Sequence, residues 1–268
     1  PVAAARAIAF SQGGDNPVIR DPLAAKLVAG ETHLMSNGPN PHLGPGVEYF
    51  SKRCLLGDEL IQERHASAGV RQVVSLGAGM DARAFRLNLH DTTFYEVDKQ
   101  GLFDIKEPLV ADVPLECAAR RCVVGTLGEM DLGAKLREAG FDSSQPTVWL
   151  LEGLMMYIPR DRMLKLAQDI GELSAVGSAL WGDGVSQASA ERGIVFHGVR
   201  FESGFDNYDE LFRRAGFDRS ETVDFAGVHL DRQACGLAKV RVDSSYALTP
   251  ATTRGRDMTL MVRAYKGA

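Results

Sequence analysis

Gly77 and Gly79 follow the apolar run 73–76, and Asp98 closes the next apolar run roughly 20 residues downstream. Glycines at these positions let the backbone turn tightly and approach a ligand with no Cβ in the way. A carboxylate at the tip of the second strand can accept both hydroxyls of a ribose. Residues 73–98 are therefore spaced as a cradle for an adenosine-bearing ligand. Gly77, Gly79 and Ala82 also satisfy G-x-G-x-x-A, so spacing alone leaves a dinucleotide open, and a glycine turn after a strand is also a common tight connection.

The elements that must carry these residues follow from periodicity. Residues 1–70 read as helical and show no strand pattern, with turn breaks at 13–17 and 37–46. Asp21-Pro22 is expected to start a helix through Lys26 and Val28, and another is expected from Glu48 to Ala66. From residue 71, short apolar strands near 73–76, 93–97, 121–124, 147–151 and 178–182 alternate with helices near 82–88, 130–139 and 160–173. That alternation means βαβ units and a mostly parallel sheet covered on both faces. After a helix near 208–215, strands at 220–225 and 258–265 predict an antiparallel hairpin at the C-terminal edge of the sheet. The reading is one α/β domain over 1–268: a helical cap (1–70), a cofactor-binding core (71–183), a lid or substrate wall (184–206) and the C-terminal part of the sheet (207–268).

Composition narrows the function classes. A hydrophobic fraction of 45%, a net charge of -5 and no long apolar run describe a chain expected to be soluble and cytoplasmic, with no nucleic acid or membrane partner. The four cysteines, Cys54, Cys117, Cys122 and Cys235, form no CxxC pair and no metal-ligand cluster, so reduced thiols and no metal are expected.

Three features favour S-adenosylmethionine over NAD as the ligand of the turn. The motif follows about 70 helical residues, whereas dinucleotide domains commonly begin with their fingerprint strand. Asp81 lies inside the turn, where it would repel a pyrophosphate. S-adenosylmethionine carries no phosphate, and its sulfonium and ammonium tolerate or welcome acids.

LGAGMDARAFRL, FYEVD and PTVWLLEGLMMYIP (146–159) resemble the leucine carboxyl methyltransferase family and its bacterial S-adenosylmethionine-dependent O-methyltransferase relatives. ARAIAF (5–10), RDPLAAKLV (20–28) and RCLLGDELI (53–61) match as well, and the likeness fades beyond 185. The resemblance implies a Rossmann-like class I methyltransferase fold with a seven-stranded sheet. It also implies that Arg53 binds the methionine carboxylate, with Lys52 as its substitute and Arg6 as a second cation. Gly77 would offer its backbone to the ammonium, Asp98 would bind the ribose, and Glu152 would lie beside the methionine moiety. The family places an Asp-Leu pair after the third strand to receive the adenine amino group. Here Thr126 and Leu127 stand in that place, so adenine recognition is expected to lean on backbone or on Asp131.

Methyl transfer from a sulfonium is a direct displacement that needs alignment and exclusion of water, and no nucleophilic residue. A carboxylate acceptor needs only an orienting cation such as Arg200, while a hydroxyl acceptor would use a base. His197 and Tyr157 are the candidates, with His229, His33 and His42 more remote. The leading expectation is an O-methyltransferase acting on a carboxyl or hydroxyl of a small molecule, such as a polyketide-like or other secondary metabolite. The alternatives are an NAD(P)-dependent oxidoreductase, a protein C-terminal carboxyl methyltransferase and a non-catalytic cofactor-binding module. The oligomeric state is open.

Overall fold

The computed structural model describes residues 2–11, 19–28, 44–196, 198–232, 238–248, 250–256 and 258–267. The N-terminal part is helical: α1 (Val2–Ser11), α2 (Ala24–Leu27) and the long α3 (Gly44–Ala68). Asp21 does start α2 through its carbonyl, which accepts from the Ala24 amide, but its side chain is spent on Arg6 rather than on a cap. On α3, Leu56, Leu60 and Ile61 recur at helical spacing and are buried against the sheet.

The sheet begins with β1 (Gln72–Leu76), buried at every residue, followed by β2 (Leu89–Asp98), α4 (Gln100–Val110) and β3 (Cys117–Val124). Between β1 and β2 the expected helix at 82–88 is a single 3-10 turn, Arg83–Phe85, because only three residues separate it from the start of β2. Then come α5 (Leu132–Glu138), β4 (Thr147–Leu151), α6 (Arg160–Glu172) and β5 (Ala179–Val185). The segment after β5 holds α7 (Gln187–Glu191) and a small antiparallel ribbon, β6 (Val195–Phe196) with β7 (Val199–Arg200). The chain closes with α8 (Tyr208–Arg214), β8 (Arg219–Asp224), the ribbon β9 (Val228–Arg232) and β10 (Ala238–Val242), α9 (Pro250–Thr253) and β11 (Thr259–Tyr265).

The strand order is β3-β2-β1-β4-β5-β11-β8. The first five strands are parallel, and β11 runs antiparallel to both β5 and β8. The C-terminal pair is thus the antiparallel edge hairpin that the sequence predicts, with β11 inside and β8 outermost. Alternate residues of the parallel strands feed two cores. Val74, Leu76, Trp149 and Leu151 face α5, α6 and α8, while Val73, Val148, Leu150 and Trp181 face α3. Strand order reverses between β1 and β4, and a crevice opens beyond the carboxyl ends of strands at such a switch point.

Candidate active site

Gly77 leaves the end of β1 at φ 64° and Gly79 follows at φ 50°, a region costly for residues with a Cβ. The Gly77 and Ala78 amides both donate to the Val97 carbonyl, at 2.9 and 3.1 Å, which ties the turn to β2. The Gly79 amide donates to Asp98 Oδ2 at 2.8 Å, and the Lys99 amide donates to Asp98 Oδ1 at 2.8 Å. Asp98 is thereby fixed at the strand tip, with lone pairs left for further donors. Two peptide groups orient it before any ligand arrives.

A cavity of about 460 Å³ lies over this turn. Its wall combines α1, the glycine turn, Arg53 of α3, Leu102 and Ile105 of α4, and Glu152 and Gly153 beyond β4. Ile105 is 60% exposed, so the cavity keeps an unburied apolar wall.

A web of ion pairs centred on Arg83, which is 2% exposed, forms part of the cavity wall. Its Nε donates to Asp58 Oδ1 at 2.7 Å, and its Nη1 donates to Asp81 Oδ2 at 2.9 Å and Glu152 Oε2 at 3.2 Å. Its Nη2 donates to Glu152 Oε1 at 2.8 Å and to the Cys54 carbonyl at 2.9 Å. The guanidinium has five N–H donors, and these contacts use all of them. Trp181 Nε1 also donates to Glu152 Oε1, at 2.9 Å. Burial pushes the Glu152 carboxyl above its ordinary value, and the Arg83 and Arg53 charges offset only part of that. Asp81 shows the opposite balance: burial pulls it up, but Arg83, Lys106 and the Arg83 amide hold it well below the ordinary carboxylate range. Burial pushes the Cys54 thiol up to about 12, so it lines the cavity as a neutral group. Gly57 gives the web its room, since a Cβ there would sit 2.5 Å from Glu152 Oε1 and 2.6 Å from Arg83 Nη2.

A second buried acid, Asp183 on β5, organises the other side. It accepts from the Gly153 amide at 2.6 Å, Tyr49 Oη at 2.5 Å and Arg53 Nη1 at 3.2 Å. Arg53 packs over the Phe50 and Tyr49 rings, at 5.0 and 5.7 Å. A Cβ on Gly153 would lie 2.8 Å from Arg53 Nη1, so the glycine admits the guanidinium to the wall beside Glu152. Arg6, also on the wall, donates to Asp21 at 2.7 Å and to the Met80 carbonyl at 2.5 Å. Lys52 does not face this cavity; its Nζ bonds Glu48 and sits 4.8 Å over the Phe225 ring.

The expected binding residues therefore divide. Arg53, Gly77, Gly79 and Glu152 line one cavity, and Asp98 braces its turn. Thr126 and Leu127 are not on its wall: the Thr126 carbonyl caps a turn by accepting from Glu129 and Met130, and Leu127 packs on the core. Asp131 is spent as the N-cap of α5, accepting from the Ala134 amide at 2.9 Å. Of the candidate bases, half-buried Tyr157 packs edge-on to Phe201 at 5.5 Å. Burial and the Asp183 charge raise its hydroxyl pKa, outweighing Arg53. Arg200 is exposed and lies against Gly193 within the β6–β7 segment, away from the cavity wall. His229 stacks edge-on with Tyr246 at 6.3 Å. His197, His33 and His42 lie outside the described residues. Sequence reasoning passed over Arg83 and Asp183. Their signals were present: an arginine two residues after Asp81, and a lone acid inside the apolar strand ALWGDGV.

The family model for leucine carboxyl methyltransferase matches residues 1–171. A relative from Streptomyces coelicolor is 41% identical over 142 residues, 53% of this chain and 47% of its own length. One from Mycobacteroides abscessus is 42% identical over 192 residues, covering 66% of this chain and 61% of its own. The chain thus spans about half to three fifths of the length of these two. A relative from Mycolicibacterium gilvum aligns more fully, 36% identical over 94% of this chain and 84% of its own. All three are provisionally named S-adenosyl-L-methionine-dependent methyltransferases. Among solved structures, a provisionally assigned methyltransferase from Thermobifida fusca YX shares the fold at TM-score 0.54 and 16% identity, over 98% of this chain and 94% of its own.

Proposed function

The chain belongs to the leucine carboxyl methyltransferase family, and we propose that it uses the cavity over Gly77 to bind S-adenosyl-L-methionine and transfer its methyl group to an oxygen acceptor. One observation carries this reading: a cation for a carboxylate, Arg53, and a carboxylate for a cation, Glu152, stand on one wall beside the glycine turn. That pairing is complementary to the amino-acid end of the cofactor. A dinucleotide would instead bring its pyrophosphate against Asp81 and Glu152.

The cofactor, when bound, supplies the electrophilic methyl group. The chain's own residues orient it. Asp98 is fixed to receive ribose hydroxyls, and Asp183 holds Arg53 toward the methionine carboxylate. The apolar Leu102 and Ile105 suit the adenine face, a role the sequence reading gave to Thr126 and Leu127. The acceptor is a small-molecule carboxyl or hydroxyl, and Tyr157, whose hydroxyl pKa is raised by burial and the Asp183 charge, is the candidate base among the described residues for a hydroxyl acceptor. Protein C-terminal carboxyl methylation is the second reading, favoured by the family description itself.

Isothermal titration with S-adenosylmethionine, its demethylated product and NAD tests the cofactor. Binding of the first two with none of NAD is expected; the reverse pattern would overturn the proposal. A labelled-methyl assay across small carboxylic acids, phenols and peptides ending in leucine then separates the acceptor classes. His197→Ala, assayed against pH, is expected to lose activity only if the acceptor is a hydroxyl.

A further inference from the structure

We propose that Arg83 is the charge-compensating and positioning residue of this cavity: it fixes Glu152 and Asp81 in the wall and limits how strongly they favour a cationic over a neutral sulfur. The inference rests on the cavity being the S-adenosylmethionine site. The two acids on the wall are Asp81 and Glu152, and Arg83 binds both while being anchored from α3 by Asp58 and the Cys54 carbonyl. Asp58 is separately matched by Arg86, which donates to both its oxygens at 2.7 and 2.8 Å. The charge of Arg83 is thus available to the wall acids.

The consequence is chemical. Methyl transfer removes the positive charge from sulfur, so a wall with two uncompensated carboxylates would stabilise the reactant cation more than the transition state. It would also repel an anionic acceptor and hold the cationic reactant far more tightly than the neutral product. Compensation by a buried guanidinium keeps the acids in place for the ammonium while weakening that bias. The charged and polar groups acting on Glu152 include Arg83 and Asp81 from the turn, Arg53 and Cys54 from α3, and Trp181 from β5.

The test compares binding of S-adenosylmethionine and its demethylated product by calorimetry at pH 8 for the wild type, Arg83→Met and Arg83→Lys. Arg83→Met is expected to shift the affinity ratio toward the sulfonium form by roughly tenfold or more, the scale of one unit charge acting across a partly buried site. Arg83→Lys keeps the charge and is expected to hold the ratio within about threefold of wild type. An unmoved ratio in Arg83→Met, or a tenfold shift in Arg83→Lys, overturns the inference. If Arg83→Met does not fold, Arg83→Gln, which also removes the charge, replaces it under the same limits. Failure of the wild type to bind either compound would instead sink the cofactor reading itself.

A ligand-free readout is independent of both. Trp181 bonds Glu152, so its fluorescence in a Trp149→Phe background reports protonation of that acid. Because Arg83 pulls the Glu152 pKa down against burial, Arg83→Met is expected to move the transition to higher pH. A transition that stays in place counts against compensation.

Discussion

Two glutamates, Glu96 buried and Glu152 half-buried, make opposite use of nearly the same chemistry. Glu96, on β2, is 2% exposed and takes Lys106 Nζ at 2.6 Å and Arg120 at 2.8 and 2.7 Å, with Lys106 fully buried. Glu152 takes Arg83 and Trp181 but also faces open volume. The Glu96 cluster ties α4 to β2 and β3, and none of its three members lies on the cavity wall. The Glu152 cluster lies at the switch point of the sheet, where the fold leaves a crevice to fill. A buried ion pair is therefore not itself a sign of function. What distinguishes the second is that part of a charged group's surroundings is missing.

That contrast is broken most directly at Glu96. Glu96→Ala leaves Lys106 buried without its carboxylate, and a stability loss of about 3–5 kcal/mol is expected by denaturant unfolding. Cofactor affinity at temperatures where the variant stays folded should be unchanged. A variant that folds normally but binds poorly would place Glu96 in the site and erase the distinction.

The next effect belongs to the cavity side. Asp98→Ala removes the acceptor proposed for the ribose and also the brace on the Gly79 amide, and a loss of about 1–3 kcal/mol in cofactor binding is expected. Asp98→Asn keeps one acceptor oxygen and should recover part of it. Unchanged affinity in Asp98→Ala would remove the ribose assignment.

A smaller effect probes Glu152 by pH. The folded-state pKa of Glu152 lies above its ordinary value, so the folded protein holds this proton to higher pH than the unfolded chain does. Between those two values stability falls as pH rises, the reverse of the usual carboxylate contribution. Binding of a cationic ligand needs the ionised form. Affinity for S-adenosylmethionine should therefore weaken as pH is lowered through a midpoint above the ordinary glutamate value, and Glu152→Gln should flatten that dependence. A midpoint at or below the ordinary value would mean that the Glu152 carboxyl is not the group being titrated.

The glycine turn and its Asp98 brace were legible in sequence because their signals are local. Gly77 and Gly79 sit at a strand end where positive φ is required, and Asp98 closes the neighbouring strand at a fixed spacing. The ion-pair web was not legible, because Arg83 draws Asp58 from 25 residues away and Glu152 from 69, and no periodicity encodes such pairings. Arg200 lies off the cavity wall for a related reason: its segment was chosen by place in the chain, and its side chain lies against Gly193 in the β6–β7 segment. The inside position of β11 followed the same rule, since strand order is a long-range fact.

The smallest effect tests the end proposed for adenine, where the sequence-expected Thr126 lies off the cavity wall and Ile105 lies on it. Thr126 holds a turn through its carbonyl, a backbone task that any side chain permits. Ile105, by contrast, presents a largely unburied apolar side chain to the cavity. Thr126→Ala is accordingly expected to change cofactor affinity by less than about 0.5 kcal/mol, the range of substitutions away from specific contacts. Ile105→Asp should weaken binding by more, because it replaces an apolar wall with a charge that an aromatic base would desolvate. If calorimetry ranks them the other way, the adenine lies toward the end of β3, and the fixed, ligand-facing region extends one strand further than the cavity wall indicates.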